Sequence, residues 1–77
     1  MEKDLIEYLA KSLVDDPSQV QVSVVEGEKS TILELRVADG DIGKVIGKHG
    51  RIAKAIRTVL QAASARSGKY TVLEILD

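Results

Sequence analysis

Two glycines three residues apart, Gly47 and Gly50, break a helical apolar pattern in the stretch VIGKHGRI (residues 45–52), and Lys48, His49 and Arg51 surround the break with positive charge. Glycine is a poor residue for a helix interior and a good one for a turn, so the spacing predicts two helices meeting at a corner. Upstream, Asp39 or Asp41 is placed to cap a short helix over residues 41–46, which Gly47 would end in the left-handed conformation. Downstream, Ile52, Ile56, Val59 and Ala63 recur at i, i+4, i+7 and i+11, an apolar stripe with Arg51, Lys54 and Arg57 opposite. Arg66, Lys69 and Gly68 in ARSGK (residues 65–69) supply a cationic last turn and a stop signal.

The flanks supply the other layer. Leu5, Ile6, Leu9, Leu13 and Val14 fall at helical spacing until Pro17 halts the pattern. Val20, Val22 and Val24 alternate with polar residues, as do Leu33, Leu35 and Val37, and the polar loop EGEKS between these runs predicts a hairpin. Thr71, Leu73 and Ile75 share one face of a third strand. The expected order is α-β-β-α-α-β: an α+β fold with a three-stranded sheet packed on three helices, in one domain spanning residues 1–77. At 77 residues only about 60% of the unfolded surface becomes buried, and a partner subunit would add stability. With no Phe, Trp or Cys, the core must be aliphatic, and disulfides, thiolate metal sites and cysteine nucleophiles are excluded.

The net charge of −1 hides a segregation. Residues 1–39 carry four cations against nine anions, a net −5, whereas residues 43–69 hold seven cations and no acid. One region of an acidic protein is therefore suited to meet an anion. The acidic, charge-interrupted start is unlike a signal peptide, and no segment approaches the ~20 apolar residues of a membrane span, which predicts a cytoplasmic protein. His49 is the only histidine and has no acid in its basic surroundings, so neither a catalytic base nor a metal site is expected. The run 43–49 is one residue short of a phosphate-binding Walker loop and has His49 where Ser or Thr must hold magnesium. The spacing of Gly43, Gly47 and Gly50 also departs from the dinucleotide fingerprint, and isolated Tyr8 and Tyr70 do not make an aromatic RNA-binding sheet. No enzyme and no cofactor are predicted.

VIGKHGRIAKAI (residues 45–56) resembles the signature of a KH domain, an apolar pair and a Gly-x-x-Gly turn followed by an isoleucine-bearing helix. The element order resembles the type II (prokaryotic) arrangement, and residues 33–60 are similar to the small bacterial KhpA family. Gly-x-x-Gly by itself arises by chance about once in three chains of this length. Ile46, Ile52, the flanking helices and the acid-free span make the match specific.

The resemblance implies an RNA-binding protein and RNA chaperone that works with a larger KhpB-like partner in post-transcriptional control of cell elongation and cell-wall homeostasis. KH modules hold about four nucleotides of single-stranded backbone on this loop. Gly47 and Gly50 would let that backbone approach, with unpaired N–H groups near Gly50, Arg51 and Ile52 facing phosphate. Lys48 is the first candidate phosphate contact, followed by His49 and Arg51, with Lys44 and Lys54 as further candidates and Arg57 expected only to be solvated. Ile42, Val45, Ile46 and Leu35 would line a groove for the bases. The family also puts the loop of Glu26 and Glu28 beside that groove, where it would repel RNA. A second reading stays open, a protein-interaction domain with little nucleic-acid binding. In that reading Ala53, Ala55, Ile56, Leu60 and Ala63 would serve a homodimer or a heterodimer with the KhpB-like protein.

Overall fold

The computed structural model describes residues 2–66 and 68–76; Met1 and Asp77 of the expected domain, and Ser67 of the expected helix stop, lie outside the described residues. Helix α1 (Glu2–Leu13) forms because Ile6 and Ala10 can be buried together while Leu9, Leu13 and Val14 pack at the rim. Its outer face is polar, with Glu7 and Lys11 paired one turn apart at 2.8 Å. Pro17 then starts a single 3₁₀ turn (Pro17–Gln19), as its fixed φ favours.

Strands β1 (Gln21–Glu26) and β2 (Ser30–Arg36) form the expected hairpin, in antiparallel register with Val22 opposite Leu35. Gly27 N–H closes it on the Ser30 carbonyl at 2.8 Å. Strand β3 (Tyr70–Leu76) lies parallel to β2, with Leu33 opposite Leu73, so the central strand is β2. The parallel pairing requires a crossover connection, supplied by α2 (Ile42–Ile46) and α3 (Arg51–Ser64). All three helices cover one face of the sheet, where Val22, Leu33, Leu35 and Leu73 meet Ile6, Ala10, Val45, Ile56 and Leu60. Full burial of such a side chain contributes about 1.5–3 kcal/mol, so a few aliphatic residues carry much of the fold's stability.

Three local expectations change. The buried stripe of α3 is Ala53, Ile56, Leu60 and Ser64, whereas Val59 is 46% exposed and Ala63 faces solvent. Both sets repeat at helical spacing and share Ile56. The helix rolls to bury Leu60, which has more apolar surface to remove from water than Val59. The roll also brings Arg57 and Gln61 to β3, where they donate to the carbonyls of Leu73 (3.4 Å) and Thr71 (2.7 Å). Arg57 is thus not merely solvated; it satisfies part of an edge strand.

Asp41 stands at the start of α2 but makes no side-chain cap there, and neither does Asp39 at the preceding 3₁₀ turn (Asp39–Asp41). The Asp41 carboxylate, in a residue only 4% exposed, instead accepts from the backbone N–H groups of Asp15 (3.2 Å) and Asp16 (3.0 Å). It therefore ties the exit of α1 to the entrance of α2. A buried carboxylate needs such donors, and the chain leaving α1 offers two. Gly47, finally, leaves α2 with φ 77° and ψ 170°, an extended positive-φ conformation; the left-handed residues are His49 (φ 60°, ψ 23°) and Gly50 (φ 73°, ψ 14°).

Candidate nucleic-acid interface

The corner between α2 and α3 is a 3₁₀ turn, Lys48–Gly50. Gly47 N–H bonds the Gly43 carbonyl at 2.8 Å, and Gly50 N–H bonds the Gly47 carbonyl at 3.0 Å. The two glycines have different reasons to be there. A Cβ built on Gly47 would lie 2.6–2.9 Å from Cγ1, Cβ and Cδ1 of Ile52, so the missing side chain makes room for the first turn of α3. A Cβ on Gly50 would meet nothing within 4 Å. The space beside Gly50 is open to an approaching strand.

The expected row of outward backbone donors is also shorter. Gly50 N–H and Arg51 N–H both bond within the turn, the latter to the Lys48 carbonyl. Lys48, His49, Arg51 and Lys54 are all exposed, and among the described residues none of them is held in an ion pair. His49 holds a left-handed backbone, which histidine tolerates better than most non-glycine residues, and this projects the turn between the two glycines.

The apolar candidates separate. Ile46 is 38% exposed and Ile42 half-buried at the core's edge, so both retain surface beside the corner. Val45 and Leu35 are fully enclosed and cannot line a groove; Val45 locks α2 to the sheet. Alternation along a five-residue helix cannot distinguish the inward side chain from its neighbours, because one turn presents every direction.

Lys44 points elsewhere than expected. Its Nζ lies 3.1 Å from Asp15 Oδ2 and 3.5 Å from Asp41 Oδ1, at the acidic joint between α1 and α2. Hydrogen bonding to Asp15 and that carboxylate's charge hold the Lys44 ammonium above the ordinary lysine pKa, against partial burial, with Asp41 reinforcing them. For Asp41, burial alone would raise the pKa. The N–H groups of Asp16 and Asp15 and the Lys44 ammonium outweigh it, and the carboxyl lies below its ordinary value. Sequence reasoning missed this joint because its members are 25 and 26 residues apart, a separation that no periodicity reports.

Glu26, the last residue of β1, and Glu28, in the hairpin loop, are both exposed. Strand β2 runs from the hairpin toward α2, and seven residues at ~3.3 Å each place the two ends about 20 Å apart. The hairpin meets the start of β3, where Tyr70 N–H bonds the Lys29 carbonyl at 3.1 Å.

A family model described as KhpA/KhpB, KH domain, matches residues 3–75, across all three strands and all three helices. The chain belongs to the KhpA/KhpB KH-domain family. Similar curated relatives include the RNA-binding protein KhpA of Clostridium acetobutylicum, 64% identical over 74 residues, covering 96% of this chain and 99% of that protein. The RNA-binding protein KhpA of Borreliella burgdorferi is 58% identical over 76 residues, covering 99% of this chain and 93% of that protein. Among solved structures, Era in complex with MgGDPNP and nucleotides 1506–1542 of 16S ribosomal RNA matches with a TM-score of 0.64 and 21% identity. The match covers 96% of this chain and 28% of Era, and it shows a shared fold. The KhpA/KhpB family is one of KH-domain proteins and not an enzyme family. No described helix is long and apolar enough to cross a membrane.

Proposed function

We propose that this chain acts as a single KH domain that binds single-stranded RNA, holding the backbone against the 47–50 corner. The observation that carries the reading is the exposed set Lys48, His49, Arg51 and Lys54, in no ion pair among the described residues, on a glycine-shaped turn and the first turns of α3, in a family whose curated relatives are named RNA-binding proteins. Phosphates would meet Lys48 and Arg51 first, with His49 and Lys54 beside them. Gly50 gives the strand access, Gly47 sets the turn, and Ile42 and Ile46 offer apolar contact to bases. Few contacts and an otherwise acidic surface make this binding weak, salt-sensitive and tolerant of sequence. That profile suits an RNA chaperone in the cytoplasm, paired with a KhpB-like protein and acting in control of cell elongation and cell-wall homeostasis.

Replacing Lys48 and His49 together with Asp tests the reading. Crosslinking to short single-stranded RNA should be abolished while the thermal unfolding profile is retained. Undiminished crosslinking would refute the corner as the site, and a parallel single-stranded DNA titration reports any preference for RNA.

A second, compatible reading is favoured by one observation. Val59 is 46% exposed on α3 beside exposed Ala55, Ala62 and Ala63. This small-residue face allows close approach of another helix, and it is the surface for a homodimer or a KhpB-like partner. Ala53, Ile56 and Leu60, expected to share that role, are consumed by the core.

A further inference from the structure

The RNA reading leaves Lys44 and the joint at residues 15, 16 and 41 unused. Lys44 has two anchors of different character. Asp41 is buried and fixed, one oxygen shared between Asp15 N–H and the Lys44 ammonium, the other accepting from Asp16 N–H. The Asp15 side chain is 81% exposed, and its 3.1 Å contact with Lys44 is the only ion pair or hydrogen bond its carboxylate makes among the described residues. An ammonium has three donors and no directional lock, so an exchange of one oxygen partner leaves the other in place.

We propose that Asp15 occupies a phosphate-binding position on Lys44, and that a backbone phosphate of bound single-stranded RNA displaces its carboxylate while Asp41 keeps the ammonium in place. Asp15, at the exit of α1, thereby sets the affinity of a site on α2 and α3. The inference rests on the RNA-binding reading and extends it by one phosphate, on the α1 side of the corner. The chemistry is an exchange of one oxyanion for another. A free Asp15 carboxylate then returns to water, which costs little because the side chain is already mostly solvated. Lys44, 41% exposed at its side chain, is reachable from solvent without unfolding α2.

Fluorescence anisotropy with labelled octauridylate, at two salt concentrations, reads the exchange. Asp15→Asn keeps the side chain's shape and removes its charge. The variant should bind about two- to fivefold more tightly than the parent, the range expected from releasing one exposed ion pair. The gain should disappear when Lys44→Gln is also present. Lys44→Gln alone should reduce the slope of log affinity against log salt by about 0.7, the value of one phosphate contact on a single strand. Glu34→Gln, on the uncovered sheet face, removes the same charge elsewhere and should give a smaller gain.

An Asp15→Asn gain that persists in the Lys44→Gln background, or that Glu34→Gln equals, would overturn the proposal as a general charge effect. No gain at all would overturn it directly. The two readings fail separately. If the Lys48 and His49 double substitution abolishes binding while Asp15→Asn changes nothing, the corner stands and the exchange falls. If the parent does not bind octauridylate, both fall. Unfolding curves of each variant confirm that the comparison is between folded proteins.

Discussion

Substituting alanine at Gly47 and at Gly50 should have very different consequences, although the two glycines form one motif. At Gly47 the backbone has φ 77° and ψ 170°, a region essentially confined to glycine, whose occupation by another residue costs about 1–3 kcal/mol. The new Cβ would also sit 2.6, 2.8 and 2.9 Å from three carbons of Ile52, and overpacking of that kind adds about 1–3 kcal/mol. Together these give on the order of 4 kcal/mol. At Gly50 the backbone is left-handed and a Cβ meets nothing, so about 1–2 kcal/mol is expected. A domain of this length has roughly 4–12 kcal/mol in total, so Gly47→Ala removes a large share and Gly50→Ala a small one. Far-ultraviolet circular dichroism in urea measures both. Each kcal/mol corresponds to about 4–8 °C in Tm for a domain of this size. Gly50→Ala should therefore lower Tm by less than about 16 °C, and Gly47→Ala by more than Gly50→Ala under the same conditions. Adding Ile52→Ala should cost less in the Gly47→Ala background than in the parent, because two of the three close carbons are gone. Equal losses at the two glycines, or strict additivity with Ile52→Ala, would refute the assignment of Gly47 to packing.

Acidification should expose the Asp41 joint. Its folded pKa lies below the unfolded value of about 3.9, so its contribution is fully present above that value and is lost as pH falls through the folded pKa; Asp41→Ala should lower stability at neutral pH and flatten this acid limb in urea titrations. Val45→Ala should cost about 2 kcal/mol of stability, whereas Ile46→Ala should cost less than about 1 kcal/mol and weaken octauridylate binding; the reverse pattern would invert their assignment to core and groove. Val59→Glu should leave the unfolding midpoint within about 0.5 kcal/mol of the parent while abolishing any self-association seen by sedimentation at high micromolar concentration. Persistence of the dimer would exclude that face of α3.

The element order was readable because each periodic segment has one strong pattern and a clear breaker: valine alternation bounded by Gly27, leucine alternation leading to β2, and Pro17 after α1. The side chains that finish the site were less readable. Ile52, Ile56, Val59 and Ala63 make as regular a stripe as the one actually buried, and only contact with the sheet selects Leu60 over Val59. Charge segregation pointed to the corner, but it could not tell Lys44, drawn to Asp15 and Asp41, from Lys48, which projects freely. Asp41 resembled a helix cap because caps are local; its partners at residues 15 and 16 come from a different element. Gly47 and Gly50 looked equivalent in sequence, since letters record a missing Cβ without recording what fills the space.

The parallel pairing of β2 with β3 has a consequence for the order of assembly. Ser30 and Tyr70 are register partners forty residues apart, and the whole α2–α3 corner lies within the loop that this pairing closes. Closing a long loop costs chain entropy before any contact rewards it, so the pairing is expected late in folding. During synthesis the β1–β2 hairpin can form as soon as it emerges, but Leu33 and Leu35 lack their neighbour until residues 70–76 arrive. A nascent chain would thus display its cations before the corner that arranges them is held in shape. Competence to grip a strand would come with the last β-strand, which begins twenty residues after Gly50 and ends at Leu76, well after the glycines themselves have been made.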